Sequence, residues 1–273
     1  MPSKAERFHA LHQTGCFVIA NAWDAGSAKL LAQSGFAAIA TTSAGLAFML
    51  GRPDGEALVT RDDAIANARD IVAATSLPVS ADLEDGYGPA PQDCAATIHA
   101  AIATGLCGCT IEDTTANPEN PIHGFDAAVA RIRAAALAAR AAPHFILTAR
   151  AENFLHGRPN LQDTIRRLVA FAEAGADCLY APALPDMAAI RAVVAAVAPK
   201  PVNVLFGPRD ALVPLDTLRE AGVRRVSVGG AIARSAYERA ITMGAALMAG
   251  EIPTAMAGIM PNTALNDRMR RNG

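Results

Sequence analysis

The chain has 273 residues, 52% hydrophobic and 18% charged, with a formal net charge of −2. That composition supplies one large core, excludes a disordered chain, and offers no basic stripe for nucleic acid. Five cysteines without a C-x-x-C pair fit a reducing, cytoplasmic setting, Cys16, Cys107, Cys109 and Cys178 read as small core hydrophobes, and no apolar run is long enough to span a bilayer.

In chain order, a helix carrying His9 and His12 leads into a first strand at 16–22. Asp24 caps the helix 25–34. The second strand, 37–42, runs into Ser43-Ala44-Gly45, where small side chains leave backbone N–H groups open to an anion. A loop with Asp54 precedes the helix 61–75 and the third strand, 78–83. That strand ends in Asp82-Leu83-Glu84-Asp85-Gly86-Tyr87-Gly88. On an extended strand Asp82 and Glu84 share a face, and paired buried carboxylates call for a cation.

Helix 92–104 is followed by strand 108–112, which adds Glu112 beside them. Hard oxygen ligands from adjacent strands suit Mg²⁺ or Mn²⁺. Asp85 and Asp113 read as helix caps or surface charges. The polar loop 114–124, with Asn120 and His123, is long enough to act as a lid. After helix 125–141, strand 145–150 delivers Arg150, which clamps a substrate carboxylate, pairs with Glu112 or Glu152, or does both. Strands 178–182, 201–206 and 225–229 alternate with helices 161–174, 186–197, 214–221 and 232–249.

Apolar strands without clean alternation fit parallel strands buried on both faces. Gly35, Gly105, Gly175 and Gly222 each stand between a helix and the next strand, as left-handed helix ends do. The pattern predicts a single (β/α)₈ TIM-type barrel over residues 1–273, with 254–270 as an extra C-terminal helix. Active sites of such barrels lie at the strand C-terminal ends, where these acids fall.

Asp82-Leu83-Glu84-Asp85-Gly86-Tyr87-Gly88, Ile111-Glu112-Asp113, Ala149-Arg150 and Thr42-Ser43-Ala44-Gly45 together resemble the isocitrate lyase/phosphoenolpyruvate mutase superfamily over essentially the whole chain. The resemblance implies a Mg²⁺-dependent (or Mn²⁺-dependent) barrel acting on small 2-oxo acids through an enolate. It implies Asp82 as direct metal ligand, Glu84 and Glu112 on metal-bound waters, and Asp54 nearby. Ser43, Ala44 and Gly45 would take the substrate carboxylate with Arg150, and Asn203 joins the substrate-binding candidates. Arg150, Glu112, Asn120 and His123 are the catalytic candidates. It also implies a homo-oligomer, dimer or tetramer, that exchanges its last helix.

Departures from the family pattern narrow the chemistry. The lyases' K-K-C-G-H loop is replaced by a segment, 114–124, with neither Cys nor Lys. Asn120 stands near the mutases' loop asparagine, but Pro182 occupies the place of their histidine, and Glu84 replaces a shorter aspartate. The expectation is a carbon–carbon lyase or decarboxylase on a small 2-oxo or 2-hydroxy (di)carboxylic acid. A phosphonopyruvate mutase or hydrolase and a 2-oxo acid binder without turnover are the alternatives.

Overall fold

The computed structural model describes residues 1–207 and 213–271. Its centre is a closed barrel of parallel strands in sequence order. These are β1 (Phe17–Asn21), β2 (Ile39–Ala40), β3 (Val79–Asp82), β4 (Gly108–Glu112), β5 (Ile146–Arg150), β6 (Cys178–Tyr180), β7 (Val202–Leu205) and β8 (Arg225–Ser227). β8 pairs back onto β1 through Phe17–Arg225 and Ile19–Ser227, which closes the sheet. All eight expected strands form. β2 is cut from the expected 37–42 to Ile39–Ala40.

The helices are α1 (Lys4–Leu11), α2 (Ala25–Ala32), α3 (Ser43–Met49), α4 (Arg61–Ala74), α5 (Pro91–Ala103), α6 (Phe125–Ala139), α7 (Leu161–Glu173), α8 (Met187–Val197), α9 (Leu215–Glu220), α10 (Ala231–Met248), α11 (Ile252–Met256) and α12 (Asn262–Arg270). Asp24 caps α2 by accepting from the Ser27 N–H, as its position predicts. Gly35, Gly105, Gly175 and Gly222 take φ of +90°, +88°, +112° and +87°, a region that penalises any Cβ. The shell packs on the barrel through residues such as Leu168 and Phe171 of α7, both fully buried. Burying one such side chain contributes about 1.5–3 kcal/mol.

α1 plugs the N-terminal mouth of the barrel. Phe8 is wholly buried, and a Cβ on Gly108 would come within 3.0 Å of its ring. His12, just past α1, donates from Nδ1 to the Phe8 carbonyl at 2.8 Å. Its Nε2, 3.2 Å from Arg225 Nη1, then accepts from that guanidinium. Burial first, and the Arg225 charge second, push the His12 pKa down to about 3. Arg225 reaches Asn203 Oδ1 at 2.8 Å and Thr148 Oγ1 at 2.9 Å, so a buried layer of polar groups lies beneath the strand ends.

Two helical features differ from the expectation. Residues 43–49, expected as an open small-residue loop, form α3, because Thr42 caps it by accepting from the Gly45 N–H at 3.3 Å. The C-terminal segment is not one helix over 254–270. It divides into α11 and α12 around Gly258, at φ +74°, and Pro261. α12 lies against α2, where Lys29 Nζ donates to the Met269 carbonyl and Gln33 Nε2 to that of Arg268, each at 2.8 Å.

Candidate active site

The barrel register sets the site. Asp82 pairs with Thr110, Glu112 with Arg150, and Arg150 with Tyr180, so the ends of β3 to β6 finish on one rim. Arg150 organises that rim. Its Nε donates to Glu152 Oε1 at 2.7 Å, Nη1 to Asp82 Oδ1 at 3.2 Å, and Nη2 lies 3.0 Å from Glu112 Oε2. The guanidinium also stacks over the Tyr180 ring at 5.0 Å. The ion pair that the sequence reading gives Arg150 forms with the chain's own acids. Asp82 joins Glu112 and Glu152 in it.

Asp82 is held from several sides. Thr110 Oγ1 donates to Oδ1 at 3.2 Å, and Ser43 donates to Oδ2 from its hydroxyl at 3.0 Å and its backbone N–H at 3.4 Å. The Asp82 N–H donates to Thr41 Oγ1 at 2.9 Å. The first turn of α3 therefore meets the metal candidate directly. Gly45 must stay small there, since a Cβ would fall 2.6 Å from Thr42 Cγ2 and 2.8 Å from Trp23 Cβ.

Glu84 does not share a strand face with Asp82, as the two-residue spacing suggests. β3 ends at Asp82, Leu83 turns into the core, and Glu84 sits in a left-handed turn at φ +47°. Its carboxyl is pushed up to about 8 by burial, and then by the negative charges of Asp82, Asp54 and Asp85. Asp54 lies in the exposed loop before α4, and partial burial and then Asp82 raise its pKa. Burial raises Glu112 far above the usual carboxylate range against the pull of Arg150, and Thr114 Oγ1 donates to its Oε1 at 2.8 Å.

Asp85 and Asp113 are not helix caps or surface charges. Asp113 is 1% exposed, accepts from the Glu152 N–H at 2.9 Å, and pairs with Arg167 Nη1 at 2.9 Å. Asp85 lies 3.6 Å from Arg131. Both act as struts because arginines of α6 and α7 reach inward to them.

The segment 114–124 folds back on itself as a hairpin-like turn. Thr114 bridges Ile122, and the Thr115 N–H donates to the Pro121 carbonyl at 2.9 Å. Asn120 lies exposed at the turn, away from the carboxylates. His123 is held at its base, where its carbonyl accepts from Arg167 at 2.8 Å. Its Nε2 is buried without a hydrogen-bond partner among the described residues. Asn203 lies within the barrel, donating to Ser227 Oγ at 3.0 Å.

Two cavities open on this rim. One of about 50 Å³, inside the barrel mouth, is lined by Asp82, Arg150, Thr41, Tyr180 and Asn203. The other, about 670 Å³, extends outward past Glu84 to Tyr87, Thr115 and His123. Nothing in the sequence alone singles out Thr41 or Thr110 as site residues, or Glu152 as more than a partner for Arg150, and Tyr87 stands there only as part of the Asp82–Gly88 motif. Only strand register and turn geometry bring them in.

Among the described residues, no three His, Cys, Asp or Glu side chains are close enough to hold a metal ion by themselves. The donor set nonetheless fits a hard cation that keeps its waters. Burial first, and then the neighbouring charges of Asp82 and Asp54, raise Glu84 to about 8, and burial and Asp82 raise Asp54.

The sequence pattern of the phosphoenolpyruvate phosphomutase family matches residues 8–248. The chain belongs to this family. It lies within the isocitrate lyase/phosphoenolpyruvate mutase superfamily, whose members include carbon–carbon lyases and mutases. The uncharacterized protein Rv1998c of Mycobacterium tuberculosis is 37% identical, covering 81% of each chain. The 2-methylisocitrate lyase of Escherichia coli is 32% identical, covering 81% of this chain and 76% of that enzyme. A solved lyase/mutase candidate from Burkholderia cenocepacia superposes with a TM-score of 0.93 at 48% identity, covering 98% and 96% of the two chains.

Proposed function

We propose that this phosphomutase-family protein is a Mg²⁺-dependent carbon–carbon lyase or decarboxylase. Its substrate would be a small 2-oxo or 2-hydroxy acid, mono- or dicarboxylic, cleaved through an enolate. The observation that carries the reading is the convergence of Arg150, Asp82, Glu112 and the α3 first turn on one small cavity.

Asp82 would hold the cation, with Glu84, Glu112 and Asp54 around its waters, and Mn²⁺ is the natural substitute. When bound, the ion polarises the 2-oxo and carboxylate oxygens and offsets negative charge that develops between them. In the Ser43-Ala44-Gly45 turn the Ala44 N–H would meet the substrate carboxylate, while the Ser43 hydroxyl and N–H hold Asp82 and the Gly45 N–H serves the Thr42 cap. Arg150 holds Asp82 and Glu112 in place through its two Nη atoms, and its charge is spread over the rim where the enolate oxygen would form. Thr110 fixes the Asp82 carboxylate against rotation, and Thr41 holds the Asp82 backbone by accepting from its N–H. The hairpin 114–124, with Thr115 and His123 on its inner side, shields the substrate from water.

The chain carries no cysteine or lysine in that hairpin, which favours a second reading, a 2-oxo acid binder without turnover. The exposure of Asn120 argues against phosphonate chemistry. The test is purified protein with Mg²⁺ and a panel of oxaloacetate, substituted malates and 4-hydroxy-2-oxo acids. Release of pyruvate or a related 2-oxo acid supports the lyase, and Mg²⁺-dependent binding without any product supports the binder. We also propose a cytoplasmic homo-oligomer, dimer or tetramer, that exchanges its C-terminal helix. Its support is α10, where among the described side chains only Ala233 is buried.

A further inference from the structure

The cavity beyond Glu84 has a lining that differs in kind from the rim. Four carboxylates border it, Asp62, Glu84, Asp85 and Asp93, against one guanidinium, Arg61. Arg61 itself lies 4.0 Å from Asp62. Two further lining residues hold polar atoms that nothing satisfies. The Tyr87 hydroxyl and His123 Nε2 are both sealed from solvent and have no hydrogen-bond partner among the described residues. Buried polar groups nearly always find a partner, so two orphans on one cavity call for an explanation, and a ligand that supplies the partner is one.

Tyr87 owes its place to the local backbone. It follows Gly86 in a run of left-handed residues, with φ of +91° at Gly86 and +58° at Tyr87, and non-glycine residues adopt that region at a cost. The Tyr87 N–H is tied to Asp85 Oδ1 at 2.8 Å, so the turn is pinned and the ring directed to the cavity wall. His123 comes from the base of the hairpin 114–124, fixed through its backbone N–H to the Asp113 carbonyl at 2.7 Å.

We propose that this cavity is the subsite for the part of the substrate beyond its 2-oxo acid end. It selects a neutral hydrogen-bonding group, a hydroxyl, carbonyl or amide, over a second carboxylate, and Tyr87 and His123 read that group. The inference rests on the functional reading of the Asp82–Arg150 rim and adds the substrate class. A distal carboxylate would enter beside Asp62 and Asp93, past Glu84 and the Arg131-paired Asp85, with only the partnered Arg61 in the lining to receive it. A neutral group meets a phenol O–H that gains its first partner, and an imidazole nitrogen that donates or accepts according to tautomer. A site built around a substrate hydroxyl discriminates strongly against the analogue that lacks it, because its own polar groups are left unpaired.

The experiment is calorimetry on the full-length protein with Mg²⁺. Oxalate is the probe for the rim alone. It is then displaced by 2-oxobutyrate, 4-hydroxy-2-oxobutyrate or oxaloacetate, which differ only in the distal group, and where a ligand is turned over its kcat/KM takes the place of its affinity. The expected result is that 4-hydroxy-2-oxobutyrate binds about tenfold tighter than either of the others. Y87F and H123Q should each erase most of that preference, losing far more affinity for the hydroxy acid than for oxalate. Tightest binding of oxaloacetate, or a preference that survives both variants, overturns the subsite. Oxalate that binds without any distal selectivity defeats the subsite and leaves the rim reading standing. Failure of oxalate itself to bind defeats both. The wild-type ligand series separates these outcomes even if a variant does not fold.

Discussion

Arg150 Nη1 and Asp82 Oδ1 stand 3.2 Å apart, bridging the ends of β5 and β3 across the intervening β4. The same guanidinium reaches Glu112 and Glu152, so one side chain holds the rim together. A metal candidate and its supporting acids are therefore locked to the barrel before any ligand arrives.

The first prediction follows from Glu152, which is wholly buried. Arg150→Met would leave that carboxylate and Glu112 without their cation. Breaking a buried pair on one side costs about 3–5 kcal/mol. Urea denaturation should show a loss of that size, and the double variant R150M/E152Q should recover part of it. Equal stabilities for wild type and R150M would mean the ion pairs are incidental.

The second concerns acid sensitivity. His12 is neutral and depressed to about 3 in the folded chain, against about 6.5 when unfolded. Below pH 6.5 the unfolded chain binds a proton that the folded chain does not. The contribution is thus complete above pH 6.5 and lost as pH falls toward 3. At pH 5 the loss amounts to roughly 2 kcal/mol. In H12Q the fall in stability between pH 6.5 and 5 should be smaller by about that amount, read from denaturant midpoints. Parallel pH profiles would refute the role of His12 in the barrel floor.

Much of this architecture is readable in the chain, and the reasons are local. Buried parallel strands announce themselves as short apolar runs, and the four helix-end glycines take positive φ because no other residue does so freely. The rim is legible in the sequence only as a set of acids at strand ends. Which carboxylate Arg150 meets depends on register, a property of strands remote in sequence. Spacing alone misplaces Glu84, because the left-handed turn after Asp82 breaks the two-residue alternation. Asp85 and Asp113 pass for surface charges because their arginine partners lie 46 and 54 residues away. His12 carries no sequence signal of its role because its partner, Arg225, is 213 residues away.

The third prediction tests the close approach at α3. Gly45→Ala places a methyl within 2.6 Å of Thr42 and 2.8 Å of Trp23, so the first turn must shift. Overpacking of this sort costs about 1–3 kcal/mol. Because Ser43 is in that turn, oxalate affinity should fall along with stability, by calorimetry and thermal melting. A stable G45A with full oxalate affinity would contradict the role given to α3.

The fourth concerns assembly. Ile241 and Met248 of α10 are 73% and 89% exposed. An apolar face of that kind is expected to be covered in a homo-oligomer. Light scattering coupled to size exclusion should find a dimer or tetramer, and Ile241→Asp should shift it toward a smaller species. A monomeric wild type would contradict the proposed assembly.

The most direct test of the central claim is calorimetric titration of oxalate, with and without Mg²⁺, into the wild type and into Asp82→Ala, with circular dichroism to check that the variant folds. The account predicts binding only with Mg²⁺ in the wild type and none in folded D82A. Metal-independent binding in the wild type, or Mg²⁺-dependent binding that persists in D82A, would contradict it.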